Sequence, residues 1–135
     1  MANQKKVLFI EDEPGLIDIY HLTFDAHGYQ FFSTADIEEG MIIAKTQQPD
    51  IILLDIILPE KSGDSVNISA KQGLVFLSRA KSDKQIKDIP VVVFTNLNSS
   101  ADRQKAKELG AVDYLVKADN LPDEVFKKVD KFLNQ

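Results

Sequence analysis

Cysteine is absent from this chain, which excludes disulfides and thiolate metal sites and is compatible with a reducing cytosol. Oxidation-sensitive sulfur is confined to Met1 and Met41. Long apolar runs are absent too. Lys5-Lys6 is followed by only four apolar residues before three acids, too short for a signal peptide, and no run approaches membrane-spanning length. Excess positive charge is also lacking: the net charge is −5, so a general affinity for the phosphate backbone of nucleic acid is not expected. Neither internal repeats nor low-complexity segments interrupt the chain. These absences predict a soluble, cytoplasmic protein with no membrane partner and no direct nucleic-acid partner. Its 135 residues suit one domain, and a domain near this size buries roughly two-thirds of its unfolded surface without a staple.

What is present is a set of short apolar runs that end on polar groups. In Pro49-Asp50-Ile51-Ile52-Leu53-Leu54-Asp55, four apolar residues in a row read as a strand covered on both faces, the parallel-sheet pattern. That strand delivers Asp55 to its carboxyl end, where such sheets bind ligands. Val7-Leu8-Phe9-Ile10 runs likewise into Glu11-Asp12-Glu13, Val91-Val92-Val93-Phe94 into Thr95-Asn96, and Val112 to Val116 into Lys117. If the strands are parallel, three acids, a hydroxyl and an ammonium converge at one edge.

Between the strands the periodicity turns helical. Pro14 suits a first helical turn, Leu16, Ile19, Tyr20 and Phe24 fall at helical spacing, and Gly28 suits the end of that helix. A second strand is expected from Tyr29 to Phe32. Asp36 and Glu39 resemble a capping box opening a helix with Ile37, Met41, Ile42 and Ala44 on its apolar positions. Gly73 to Ser82 reads as a third helix, and Asn98-Ser99-Ser100 offers caps for a fourth that ends at Gly110. Asn120 is expected to cap a last helix carrying Val125, Phe126, Val129, Phe132 and Leu133 inward. The expected fold is therefore α/β: five strands alternating with five helices, doubly wound by right-handed crossovers. His21 and His27, six apart, do not share a helical face and read as surface histidines. The run Asp102-Arg103-Gln104-Lys105 reads as a solvated helical face.

Taken in order, these residues resemble a two-component response regulator receiver domain of the single-domain, CheY-like kind. The likeness is carried by Glu11-Asp12-Glu13-Pro14, by Asp55 with Leu58-Pro59 and Gly63, by Thr95, and by Tyr114 with Lys117, and it covers essentially residues 1–135. It implies a flavodoxin-like sheet of strand order 2-1-3-4-5. It further implies that Asp12, Asp55 and the backbone oxygen of Ile57 hold Mg²⁺, with Glu11 acting through a bound water. Asp55 is then the phosphoacceptor toward a histidine kinase or histidine phosphotransfer protein, Lys117 neutralises phosphoryl oxygens, and Thr95 donates its hydroxyl to one of them. Tyr114 is implied as the aromatic that turns inward with Thr95, reshaping a face read by an unknown downstream protein.

Three features depart from the family pattern. Glu11 stands where aspartate is commoner. Ala118 follows Lys117 where the family usually has proline in a cis peptide, so a trans bond is expected here, or a cis one held only by strong local contacts. Gly63 and Gly73 both fit the single family glycine after the acceptor strand, and being ten positions apart they imply a ten-residue insertion within the loop around 60–72. That insertion is either a tolerated excursion or a lid or kinase-specificity element. Apolar Ile57 and Leu97, flanking the expected path of attacking water, predict slow self-dephosphorylation.

Rival functions fit less well. A flavin-binding flavodoxin-like protein would meet repulsion between Glu11-Asp12-Glu13 and the flavin phosphate. A haloacid-dehalogenase-type phosphatase would need Asp-x-Asp after the first strand. An unphosphorylated receiver-like scaffold acting through protein contacts is the remaining alternative, against which Asp12, Asp55, Thr95 and Lys117 argue.

Overall fold

The computed structural model describes residues 4–58 and 71–134. Pro59, Gly63 and the expected insertion up to residue 70 lie outside the described residues. Five strands, β1 (Lys6–Ile10), β2 (Gln30–Thr34), β3 (Ile51–Leu54), β4 (Val91–Thr95) and β5 (Asp113–Val116), alternate with helices α1 (Pro14–Ala26), α2 (Ile37–Gln47), α3 (Gln72–Ser82), α4 (Ser100–Glu108) and α5 (Pro122–Leu133). A short 3-10 turn at Lys117–Asp119 joins β5 to α5. The sheet is parallel throughout, in the order β2-β1-β3-β4-β5. The doubly wound fold expected from the alternating runs is the fold observed.

The central strands are apolar on both faces because both are covered. Leu8, Ile10, Ile52, Leu54, Val91 and Val93 point into the core shared with α2, α3 and α4. Val7, Phe9, Ile51, Leu53, Val92 and Phe94 point into the core shared with α1 and α5. All four residues of β3 are fully buried, and truncating one of them to alanine is expected to cost about 2–5 kcal/mol. This rigid strand is what fixes the position of Asp55.

Several boundaries and faces differ from those read in the sequence. β2 begins at Gln30 and runs to Thr34 because it pairs residue for residue with β1, from Lys6↔Gln30 to Ile10↔Thr34. β5 begins at Asp113, one residue late, although the Val112 amide still donates to Val91 O. Ile19 and Ile42 are exposed and Phe132 stays partly exposed at 38%, since the inward stripes are Tyr20 with Phe24, Met41 with Ala44, and Val125 with Val129. Asp36 caps α2 by accepting the Glu38 amide, and the return arm of the cap comes from Thr34, whose Oγ1 accepts the Asp36 amide, in place of Glu39. Leu121, not Asn120, occupies the N-cap of α5. Both histidines are exposed, His21 stacked on Phe31 and His27 on Phe126.

Candidate functional site

Parallel pairing brings the ends of β1, β3 and β4 to one edge, with Ile10 level with Leu54 and Leu54 level with Val93. The residues just beyond are Glu11 and Asp12, then Asp55; β4 ends on Thr95 itself. Carboxylate oxygens of Glu11, Asp12 and Asp55 lie within 4.8 Å of one another. Glu11 is 1% exposed and Asp55 6% exposed, so their charges cannot be dispersed into water.

Lys117, directly after β5, enters this cluster from the neighbouring strand. Its Nζ donates to Asp55 Oδ2 at 2.7 Å and lies 2.6 Å from Glu11 Oε1. The second contact is a buried ion pair, so Lys117 is the one protein group that Glu11 Oε1 meets among the described residues. The other Glu11 oxygen is better supplied: Oε2 accepts the amides of Asp12 and Glu13 at 3.2 and 3.3 Å. Burial, and then the charge of Asp55, push the Glu11 carboxyl up from 4.5 to about 7 against the pull of Lys117. Burial disfavours the Lys117 ammonium, but Asp55 and Glu11 outweigh it and hold the group above its ordinary value. One cation thus serves two buried acids. Three converging carboxylates that share a single ammonium are a donor set that fits a hard divalent cation such as Mg²⁺.

The remaining predicted residues surround this cluster. The Ile57 amide donates to Asp55 Oδ1 at 3.2 Å, turning the chain sharply after the acid. Thr95 is buried, and its Oγ1 accepts the Leu97 amide at 3.4 Å. Tyr114 is half-buried on β5; its hydroxyl donates to Leu97 O at 2.6 Å, and the Arg103 guanidinium lies 4.7 Å from its ring centre. The structure therefore gathers Glu11, Asp12, Asp55 and Lys117 into one cluster, with Thr95 on the adjoining strand end. Tyr114 is tied to that end through Leu97.

Other residues at this edge were not legible as parts of it. Gly73 packs against the backbone of the acidic turn: its amide donates to Ile56 O at 2.8 Å, and a Cβ there would fall 2.1 Å from Asp55 O. Among the described residues it is therefore Gly73 that sits under Asp55. Asp102, expected to be solvated, is only 8% exposed. Its Oδ1 accepts from Lys71 Nζ at 2.7 Å and its Oδ2 from Ser99 Oγ at 2.8 Å. Ser99 and Asp102 stand at the spacing of a capping box, a signal that could have marked the acid as structural. The Lys117–Ala118 peptide is trans, as expected, and the Ala118 amide donates to Asn96 Oδ1 at 3.0 Å.

A family profile described as response regulator receiver domain matches residues 7–130. This chain belongs to that family. Among curated proteins, the receiver is similar to the DNA-binding dual master transcriptional regulator RpaA of Synechocystis, 31% identical over 83% of this chain and 42% of that protein. It is similar also to the alkaline phosphatase synthesis regulator PhoP of Bacillus subtilis, 28% identical over 97% of this chain and 49% of that protein. The receiver chain thus spans less than half the length of these relatives. Among solved structures, a CheY-like receiver domain protein of Methanospirillum hungatei superposes with a TM-score of 0.82 at 20% identity, covering 98% of this chain and 95% of that one. The phosphorylated cyanobacterial phytochrome response regulator RcpA superposes with a TM-score of 0.72 at 26% identity, covering 96% of this chain and 91% of that one. No helix of the described residues is long and apolar enough to cross a membrane.

Proposed function

We propose that residues 1–135 act as one receiver domain, with an inserted loop around 60–72, that accepts a phosphoryl group on Asp55 in a two-component phosphorelay. The observation that carries this reading is Asp55 itself, fixed at the end of a buried strand, gripped by Lys117, and sharing its oxygens' space with Glu11 and Asp12. Glu11, Asp12, Asp55 and the Ile57 carbonyl would hold Mg²⁺, whose charge offsets that of the crowded carboxylates and of an incoming phosphate. A solved receiver domain of a Pseudomonas aeruginosa sensor histidine kinase holds a magnesium ion in its active-site cleft, and RcpA is a phosphorylated relative.

In the transfer, an Asp55 carboxylate oxygen attacks the phosphorus of a phosphohistidine on the kinase or phosphotransfer partner. A P–O bond forms as the P–N bond breaks, its electron pair stays on the imidazole nitrogen, and that nitrogen takes a proton from solvent. The Lys117 ammonium compensates charge on the phosphoryl oxygens, and the Thr95 hydroxyl donates to one of them. Movement of Thr95 then biases Tyr114 and the surface of α4, β5 and α5 toward a second state read by a downstream protein. The setting is the cytoplasm, and the contacts are with proteins. Because Ile57 and Leu97 offer no polar side chain to orient an attacking water, the aspartyl phosphate should last many minutes or longer; a half-life of seconds in purified protein contradicts that part.

The test is intact-mass spectrometry after incubation with acetyl phosphate and Mg²⁺, for the wild type and Asp55→Asn. A phosphate adduct that needs Mg²⁺ and vanishes in Asp55→Asn is expected. If no adduct forms with acetyl phosphate or with phosphorylated kinases as donors, the phosphoacceptor reading fails and the unphosphorylated scaffold takes its place.

A further inference from the structure

The backbone that aims Lys117 is held by two asparagines. The Ala118 amide donates to Asn96 Oδ1 at 3.0 Å. On the other side, Asn120 Nδ2 donates to Val116 O at 2.9 Å, and the Asn120 amide to Lys117 O at 3.3 Å. Asn120 lies within the same connection between β5 and α5, so its bonds shape the turn locally. Asn96 is different: it follows Thr95 on another strand, and its bond ties the connection after β5 to the connection after β4. Its side chain is exposed, so its role is not one of core packing. The N–H it captures exists because residue 118 is alanine; a proline there would have none to give.

The position of that turn matters because a lysine side chain is long and flexible, yet Lys117 Nζ meets two carboxylate oxygens at 2.6 and 2.7 Å. Displacing a reacting group by about 1 Å is enough to slow a reaction by as much as 100-fold. We infer that Asn96 is a positioning residue, anchoring the Ala118 amide so that the Lys117 ammonium is delivered to Asp55 and Glu11. The kinetic consequence rests on the phosphoacceptor reading; the geometric claim does not.

Two readouts on the full chain separate these. In ¹⁵N-labelled, metal-free protein, the order and hydrogen exchange of the Lys117 NH₃⁺ group and of the Ala118 amide are compared among wild type, Asn96→Leu and Asn96→Asp. Leucine matches the size but removes the acceptor, whereas aspartate keeps an acceptor oxygen. Asn96→Leu is expected to lose protection at Ala118 and order at the Lys117 ammonium while keeping the unfolding midpoint within about 3 °C, and Asn96→Asp should restore both signals. With Mg²⁺ and phosphoramidate, Asn96→Leu should form the adduct about 3- to 10-fold more slowly. An unchanged Lys117 signal in Asn96→Leu overturns the inference whatever the rate does, as does failure of Asn96→Asp to restore it. A wild type that takes no phosphate from any donor overturns the phosphoacceptor reading instead, and the NMR comparison still decides the role of Asn96.

Discussion

The two edges of the same sheet are built from similar residues and do opposite things. At the amino edge, Lys6 and Asp50 satisfy each other and the chain: the Lys6 amide donates to Asp50 Oδ2 at 2.7 Å, and Lys6 Nζ donates to Gln47 O at 3.1 Å. At the carboxyl edge, three acids are driven together around one lysine, and the Glu11 and Asp55 carboxylates both depend on the Lys117 ammonium. Folding alone favours the first arrangement, because burying carboxylates beside one another disfavours their charged forms, as the raised Glu11 carboxyl shows. The second arrangement is the one that the proposed Mg²⁺ would relieve, and the contrast between the edges can be tested by perturbing matched residues on each.

The largest difference is expected at Gly73. A methyl group there would fall 2.1 Å from Asp55 O and 2.6 Å from Ile56 Cα, contacts with backbone that no side-chain motion can relieve. Gly73→Ala should therefore lower stability by roughly 3 kcal/mol or more, seen as a lower urea midpoint, and should displace the acidic turn so that adduct formation falls even where the protein remains folded. A midpoint close to wild type would mean that α3 does not seat firmly under Asp55.

Next in size is the charge stored in Glu11. Its carboxyl is raised from 4.5 to about 7, so between those values the folded state holds a proton that the unfolded chain has released. Metal-free stability should consequently fall as pH rises through that window, by about 3 kcal/mol in total, and stay low above it. Glu11→Gln should flatten this slope. Added Mg²⁺ should raise the unfolding temperature more at pH 8 than at pH 5, because at pH 5 the ion must first displace the proton. Equal stabilisation at both values would remove Glu11 from the metal site.

How much of this edge could be read from the chain follows from what each residue interacts with. Asp55, Lys117, Thr95 and Glu11-Asp12 announce themselves because each ends an apolar run, and a parallel sheet must bring such ends together. Strand order, too, was legible, though only through the resemblance. The burial of Asp102 was not: the spacing from Ser99 offers a local cap, but in the sequence the acid is one charge in a polar run, and its other partner, Lys71, comes from a segment distant in the chain. Nor was the choice between Gly63 and Gly73, since a glycine demanded by close approach of backbone looks the same as one that merely loosens a loop. Asn96 and Asn120 were read as a strand-end neighbour and a helix cap because local spacing suggests only local bonds.

A smaller effect is expected where the two edges each carry a lysine–aspartate pair. Lys71 and Asp102, at the carboxyl edge, meet at 2.7 Å with the acid side chain 11% exposed. Lys45 and Asp83, at the amino edge, meet at 3.0 Å with the acid 19% exposed. The hydrogen bonds from Lys71 and Ser99 hold the Asp102 carboxyl below its ordinary value of 3.8. Its contribution is thus fully present above that value and is lost as pH falls through the lower folded one. Lys71→Met should cost about 1–2 kcal/mol at neutral pH, and the difference from wild type should close as the solution is acidified below 3.8. Lys45→Met should leave the midpoint within error, as exposed pairs usually do.

Smaller than the loss at Lys71 is the one expected at the amino-edge counterpart of Gly73. Gly28 follows α1 with φ +82°, and its amide donates to Asp25 O while the next amide, of Tyr29, donates to Phe24 O, so a left-handed residue closes the helix. Here nothing lies within 4 Å of an added Cβ, and the cost of Gly28→Ala is only that of holding alanine in the left-handed region, about 1 kcal/mol. The melting temperature should drop by roughly 3–5 °C, and Gly28→Asn should recover part of the loss because asparagine tolerates that conformation. Phosphate incorporation at a temperature where both proteins are folded should match wild type. A slowed adduct in Gly28→Ala would mean that α1, which begins beside the acids bound by Glu11 Oε2 and ends at this glycine, carries strain from one edge to the other; an unchanged rate would mean that the scaffold's stability and the readiness of the acidic cluster are set independently.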